Sequence, residues 1–209
     1  VDFVAVESDE APAVAARVLL HFRFVAREMP PGHQLYKGLP GIHVSVRNPS
    51  EEEARVLGGG AGLPLETTIV QTHTPDRPFI FDSVKNYLQK CGLRVYSAIH
   101  PIFTVRRQWE RIVSLGGPQE EGSRESYCFF QIEPLASRER VRRVEHEVFS
   151  LLKAVFLAVD DFGDMGRACR DLVPRLRSRR GDAAELLSVR AFLEWLLDDN
   201  YIFMGTVSY

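Results

Sequence analysis

An α+β fold is predicted by three observations. Strand-like β-branched runs and amphipathic helical stripes follow one another in the order β-α-β-β-α between Glu66 and about Val155. The two helices in that order carry one-sided apolar stripes, so both must lie on one face of an antiparallel sheet. With 209 residues, 45% hydrophobic and 26% charged, the chain has the composition of a soluble globular protein and the length to bury a proper core.

The elements justify themselves in turn. Ala11 to Glu28 reads as a helix, with Val14, Val18, Leu19, Phe22 and Val25 recurring at helical spacing and Pro30-Pro31-Gly32 as its stop. IHVSVRNP (Ile42 to Pro49) alternates as a short strand ended by Asn-Pro. Glu51-Glu52-Glu53 and the loop GGGAG (Gly58 to Gly62) follow, the loop being expected as a mobile connection.

ETTIVQTHT (Glu66 to Thr74) is rich in β-branched residues and reads as a strand. In PFIFDSVKNYLQKCG the stripe Ile80, Val84, Tyr87, Leu88 and Cys91 predicts a helix stopped at Gly92. Leu93 to Arg107 is extended again, with an irregularity expected at His100-Pro101. SYCFFQIEP (Ser126 to Pro134) is the next strand. Ser137 then caps a long helix whose stripe is Val141, Val144, Val148, Leu151, Leu152 and Val155.

This order gives the first five elements of a ferredoxin-like split βαβ unit and leaves one sheet face for a partner or a second sheet. The pattern then stays helical, with Pro174 expected to bend or end it, a basic break from Arg175 to Asp182, and a further helix to Asp198 with Leu186, Val189, Leu193, Leu196 and Leu197 inward. Tyr201 to Tyr209 is expected either to supply the fourth strand or to open a second module. The domain expectation is a helix-strand extension and linker over 1–62, the βαββα unit over 63–159, and a helical segment over 160–209. The start at Val1 without Met and the stop inside a strand-like run are expected of an excerpt from something longer.

Composition and motifs exclude several functions. A net charge of −2 gives no general attraction to nucleic acid or acidic membranes, and no apolar run approaches the length of a membrane span. Cys91, Cys128 and Cys169 are odd in number and widely spaced, which predicts reduced thiols and a cytoplasmic setting. GGGAG lacks the Lys-Ser/Thr of a phosphate loop, and no GxGxxG follows a strand, so no cofactor site is expected here. The six histidines never fall at metal-ligand spacing with Cys, Asp or Glu, so no metal is expected. Asp160-Asp161 and Asp198-Asp199 read as helix-end residues rather than an acid/base pair, and no catalytic residue is predicted. The arginines from Arg138 to Arg143 interleave with Glu139, Glu145 and Glu147 as a solvated helix face. Tyr127, Phe129 and Phe130 share one strand as an RNA-binding sheet would have them, but the Lys/Arg-Gly-aromatic pattern is absent, so core or interface is expected.

One corner stands out. In THTPDRPFIFDSV (Thr72 to Val84) a strand passes through Asp76-Arg77 between two prolines into a helix. Thr74 and Asp76 can bond the helix-start amides or a ligand ammonium, while those amides suit a carboxylate. An amino acid carries both groups; plain capping of the helix is the competing reading.

The run TPDRPFIFDSVKNYLQKCGLRV resembles the signature of ACT domains, small βαββαβ regulatory modules that bind amino acids at this corner and pair side by side. More broadly, VSVRNPS, RPFIFDSVKNYLQKCGLRVYSAIHPIFTVRR, SRESYCFFQIE and FLEWLLDDNYIFMGTVSY are similar, in one order, to the N-terminal region of the large bacterial NAD-specific glutamate dehydrogenases. The resemblance implies a regulatory and assembly segment that precedes the catalytic domain, with glutamate and NAD bound by the parent beyond Tyr209. The implied partners are an amino acid effector, other domains of the parent chain and a second copy. Carried over residue by residue, the ligand site comprises Thr74, Asp76, Arg77, Phe79, Ile80 and Arg94. Phe79 stands where the family's Gly follows the Pro, and Arg94 where an Asn reaches across a dimer; these departures point to a closed corner or to an acidic ligand. A purely structural module, or an RNA-binding one, is the alternative.

Overall fold

The strand Thr68–Pro75 (β2) owes its place inside the sheet to TIVQTHT, whose alternate residues suit two buried faces. It pairs antiparallel with Ser123–Ile132 (β6), from Thr68 opposite Ile132 to Pro75 opposite Glu125. The computed structural model describes residues 11–26, 41–58, 66–108, 111–117, 121–177 and 182–205. Two compact units divide the chain, Val1–Lys153 and Ala154–Tyr209.

In the first unit the order along the chain is α1 (Ala11–Val25), β1 (His43–Arg47), α2 (Glu51–Gly58), β2, α3 (Ile80–Lys90), β3 (Val95–Ile99), β4 (Ile102–Gln108), β5 (Arg111–Gly116), β6 and the start of α4 (Arg138–Asp160). The sheet runs β1-β2-β6-β4-β5, and β3 also pairs with β6. The extended stretch from Leu93 is thus one line along β6, broken where His100-Pro101 was expected to interrupt it: Val95 to Ile99 pair with Ile132 to Phe129, and Ile102 to Val105 with Ser126 to Ser123.

Paired residues share a face, and the two faces have separate covers. Val44, Val46, Val70, Cys128 and Phe130 look toward α3 and α4, where Phe81 stacks on Phe130 at 5.2 Å. α3 buries Ile80, Val84 and Leu88, and α4 buries Val144, Val148 and Leu152, as their stripes predict. Tyr87 of α3 donates to Glu147 of α4 at 2.5 Å, which ties the two helices side by side. Ser137 caps α4 as expected, its hydroxyl accepting from Arg140 N.

The opposite face does not await a partner. Ile69, Tyr127 and Phe129 form a core with Phe24 and Val25 of α1 and Leu57 of α2, so the N-terminal segment supplies the second cover. The rings considered for base stacking are consumed here, with Tyr127, Phe129 and Phe130 at most 2% exposed. α1 is also rotated from its expected orientation. Val14, Val18, Leu19 and Phe22 are exposed, whereas Leu20, His21, Phe24 and Val25 face the sheet. The reason is chemical: the sheet offers the Tyr127 hydroxyl, and His21 meets it at 2.9 Å.

The fourth strand is likewise found upstream. In a βαββαβ sheet it lies beside the first strand and antiparallel to it, and β1 holds that position, His43 opposite His73 through Arg47 opposite Ile69. β1 thus occupies this edge of β2. Tyr201–Gly205 forms no strand, and 206–209 lie outside the described residues, as do 59–62 of the glycine loop. Two elements were not anticipated. α2 opens with a capping box, Glu53 N donating to Ser50 Oγ at 3.2 Å and Ser50 N to Glu53 Oε2 at 2.9 Å. β5 forms a hairpin with β4 and is the far edge of the sheet.

The second unit contains the end of α4, α5 (Phe162–Arg177), α6 (Ala183–Trp195) and a π-helical turn over Leu196–Asn200. Pro174 sits within α5 rather than ending it. Asp182 caps α6 through Ala184 N at 3.0 Å. Leu186, Leu193, Leu196 and Leu197 are half-buried while Val189 is exposed, so α6 buries none of its residues completely.

Candidate functional site

The β2–α3 corner is fixed by two prolines and a main-chain bond. β2 ends at Pro75, which cannot donate to a ladder, and Asp76 N turns to donate to Arg124 O of β6 at 2.9 Å. The Asp76 carboxylate, mostly buried, meets Arg124 Nη2 at 2.9 Å from Oδ2. Arg77 folds back on the same turn, its Nη1 donating to Asp76 O at 3.1 Å.

Phe79 is the residue before α3, at φ 71° and ψ −1°, the left-handed conformation. It is the one non-glycine with positive φ among the described residues, a conformation that costs an L-residue about 1–2 kcal/mol. No side chain caps α3. Its first amides have no partner in the helix and carry its partial positive charge. The Phe79 ring is half exposed, whereas Ile80 is buried and anchors the first turn in the core.

Beneath that turn lies a polar floor. His100 Nε2 and Ser126 Oγ are 3.0 Å apart, and the His100 ring stacks on Phe81 at 5.0 Å. Burial keeps this imidazole below its ordinary value despite the pull of Asp76 and Asp82. Thr74, directly opposite Ser126, is wholly buried, and its hydroxyl has no hydrogen-bond partner. An unsatisfied buried hydroxyl is costly, by about 1–3 kcal/mol, and marks a place where a donor or acceptor is wanted.

Of the six residues expected at the site, Thr74, Asp76, Arg77, Phe79 and Ile80 come together at this corner. Arg94 does not join them within one chain. Its carbonyl accepts from Glu133 N, whereas Thr74 is opposite Ser126, seven positions back along β6 and roughly 23 Å away at the rise of a strand. Sequence reading missed Arg124, His100 and Ser126. The signal for them is the register of β2 on β6, which brings SRES beside the corner.

Two open clefts lie at the other end of β2. One of about 610 Å³ is lined by residues including Asn48, Ser50, Thr67 and Leu135. The second, about 510 Å³, lies between β1 and the start of α4, against Arg47, Arg138 and Arg142. Arg47 is already held by Glu53 at 2.6 and 2.7 Å.

The face under α1 carries a buried polar chain of its own. His73, fully buried, is 2.6 Å from Glu125, which also accepts from Arg107 at 2.9 and 2.8 Å. Gln71 donates to the Tyr127 hydroxyl at 2.8 Å. Burial pushes the Cys128 thiol up to about 11, which is unsuited to nucleophilic work at neutral pH. Among the described residues no group of His, Cys, Asp and Glu is arranged to hold a metal, and no helix is long and apolar enough to cross a membrane.

The chain is similar to known proteins over most of its length. The family model described as "Glutamate dehydrogenase, ACT1 domain" matches residues 4–148. An NAD-specific glutamate dehydrogenase of Pseudomonas aeruginosa is 31% identical over 168 residues, 78% of this chain. One of Halomonas elongata is 28% identical over 173 residues, 79% of this chain. In both cases the match spans 10% of the relative's length.

Proposed function

We propose, from the premise that this chain belongs to the family of glutamate dehydrogenase ACT1 domains, that it is the regulatory module of an NAD-dependent glutamate dehydrogenase and binds an amino acid effector at the β2–α3 corner. The observation that carries this reading is the strained, uncapped start of α3 at Phe79, set beside the Asp76 carboxylate and the unpartnered Thr74 hydroxyl. Non-glycine residues persist in the left-handed region where the surroundings over-determine them, and such sites cluster at ligand clamps. A carboxylate for an ammonium, with helix amides for a carboxylate, is the donor set that a free amino acid needs.

Catalysis and NAD belong elsewhere in the parent. A dinucleotide needs glycines at a strand-to-helix turn, and this one has Pro78 and Phe79 instead, so the residues here do not fit that cofactor. The free thiols Cys91, Cys128 and Cys169 support a cytoplasmic setting.

A second reading is favoured by the Asp76–Arg124 pair, which already satisfies the corner's carboxylate. In it the corner is closed and the module acts in assembly, with β5 as the free sheet edge presenting exposed Val113 and Leu115 to a second copy. Calorimetry of the chain against the twenty amino acids decides between the two. Saturable heat from at least one supports the effector reading, and none from any of them with the protein folded rejects it. Sedimentation then tests the assembly reading, which a monomer at high concentration would contradict.

A further inference from the structure

Arg124 is bound to Asp76 twice, once through the main chain (Asp76 N to Arg124 O, 2.9 Å) and once through the side chains (Nη2 to Oδ2, 2.9 Å). The first bond fixes the two residues side by side, and the second puts a guanidinium where a ligand ammonium on Asp76 would sit. The two side chains are unequally held: Asp76 is 19% exposed and Arg124 54%. The carboxylate is part of the wall, whereas the guanidinium lies on the solvent side at the end of a flexible stem. With its cation in solvent the pair is screened from one side and contributes on the order of 1 kcal/mol, so exchanging it for another cation is cheap. Close by is the Thr74 hydroxyl, fully buried and without a partner. Thr74 pairs with Ser126, Ser126 meets His100, and the His100 ring stacks on Phe81 in the first turn of α3.

We propose that Arg124 is the specificity residue of this corner: it stands in for the ligand's ammonium on Asp76 when the corner is empty, and turns its guanidinium to the ligand's carboxylate when the ammonium takes its place. The proposal rests on the effector reading above. Charge accounting selects the ligand class. A zwitterion exchanges one ion pair for two, Asp76 with ammonium and Arg124 with carboxylate, and leaves no charge unmatched. A simple amine displaces Arg124 and leaves it without an anion. A simple carboxylate recruits Arg124 and leaves Asp76 without a cation. The corner thus discriminates for a molecule that carries both groups.

The test is a ¹H–¹⁵N titration of the chain with three probes at fixed ionic strength: glycine as the smallest zwitterion, methylammonium and acetate. In the wild type, glycine is expected to move the amide signals of residues 76 to 82 and of Arg124, and to bind about tenfold or more tighter than either single-charge probe. R124Q is expected to lose about tenfold in glycine affinity while binding methylammonium more tightly than the wild type, because Asp76 is freed. R124K, which keeps the charge without the planar fork, is expected to fall between the two and serves as the informative variant if R124Q does not fold. Equal glycine affinity in the wild type and in both variants overturns the role of Arg124 and leaves the effector reading standing. A wild-type corner that responds neither to glycine nor to any of the twenty amino acids overturns both.

Discussion

His73 Nε2 and Glu125 Oε2 lie 2.6 Å apart on the sheet face beneath α1, and Arg107 grips the same carboxylate through Nε and Nη2. Burial alone would raise Glu125, but the hydrogen bonds from Arg107 and His73 outweigh it and hold the group at about 2, below its ordinary 4.5. A folded value below the unfolded one means that this stability is present above about pH 4.5 and is lost as pH falls through about 2. E125Q removes the buried charge that Arg107 and His73 share and is expected to cost about 3–5 kcal/mol. In a chain of this size that lowers Tm by roughly 2–4 °C per kcal/mol. Urea midpoints at neutral pH measure the loss. Repeated down to acid, they are expected to show the wild type converging on the variant.

A second titration falls in a different window. Gln71 Nε2 donates to the Tyr127 hydroxyl, which leaves the phenol's own proton for His21 Nδ1 at 2.9 Å. Burial, with a smaller push from Arg17, lowers His21 to about 4 from 6.5. The folded chain therefore holds a neutral imidazole where the unfolded chain binds a proton, so stability rises with pH between about 4 and 6.5 and is lost on acidification through that range. H21Q keeps a polar group under Tyr127 but does not titrate. Its denaturation midpoint is expected to be lower at pH 7 and flatter between pH 6.5 and 4, while the Glu125 transition below that range survives. A wild-type slope unchanged by H21Q would remove His21 as its source.

These networks mark the limit of what the sequence discloses. β2, α3, β6 and α4 are legible because their periods of 2 and 3.6 are properties of neighbouring residues. The role of β1 is not, because its place beside β2 depends on register between distant segments, and HVSV pairs as readily with one edge as another. α1 shows how apolar counting fails: Val14, Val18, Leu19 and Phe22 outnumber the inward apolar residues, yet His21 and its bond to Tyr127 orient the helix. β5 offers only IVSL between charged and glycine-rich flanks, too short a run to stand out. The same division holds at the site. Thr74, Asp76 and Phe79 are chain neighbours and could be grouped by reading alone, whereas Arg124 and His100 reach the corner only through the pairing of β6 with β2 and with the broken β3–β4 line.

The capping box of α2 was readable as Ser50-x-x-Glu53 and gives a local prediction. Glu53 serves two masters, closing the helix start at Ser50 N and clasping Arg47 of β1, whose guanidinium holds its carboxyl below the usual range. S50A removes one cap bond and is expected to cost about 1 kcal/mol. E53A removes the reciprocal bond and the tie to the edge strand together, so its loss in urea midpoint is expected to exceed that of S50A, by about 1 kcal/mol at low salt. The excess is expected to shrink at high salt, since the pair is partly exposed. Equal losses for the two variants would assign Glu53 to the helix alone.

Phe79 offers the sharpest test of the corner. At φ 71° its backbone occupies a region that costs an L-residue about 1–2 kcal/mol and glycine nothing. F79G recovers that strain but adds freedom to the unfolded chain worth about 0.5–1 kcal/mol, and the half-exposed ring surrenders little packing. A net stabilisation of up to about 1 kcal/mol is expected. F79V places a β-branched side chain in the left-handed region and is expected to destabilise by about 1–2 kcal/mol, with F79N between glycine and the wild type. Urea midpoints in the order Gly, Asn, Phe, Val establish that backbone strain governs this position. Glycine falling below phenylalanine would mean that the ring's packing governs it instead. The same F79G variant clears the ring from beside the uncapped amides of α3, so any amino acid heat seen with the wild type is expected to grow with it, which couples the strain to the ligand corner.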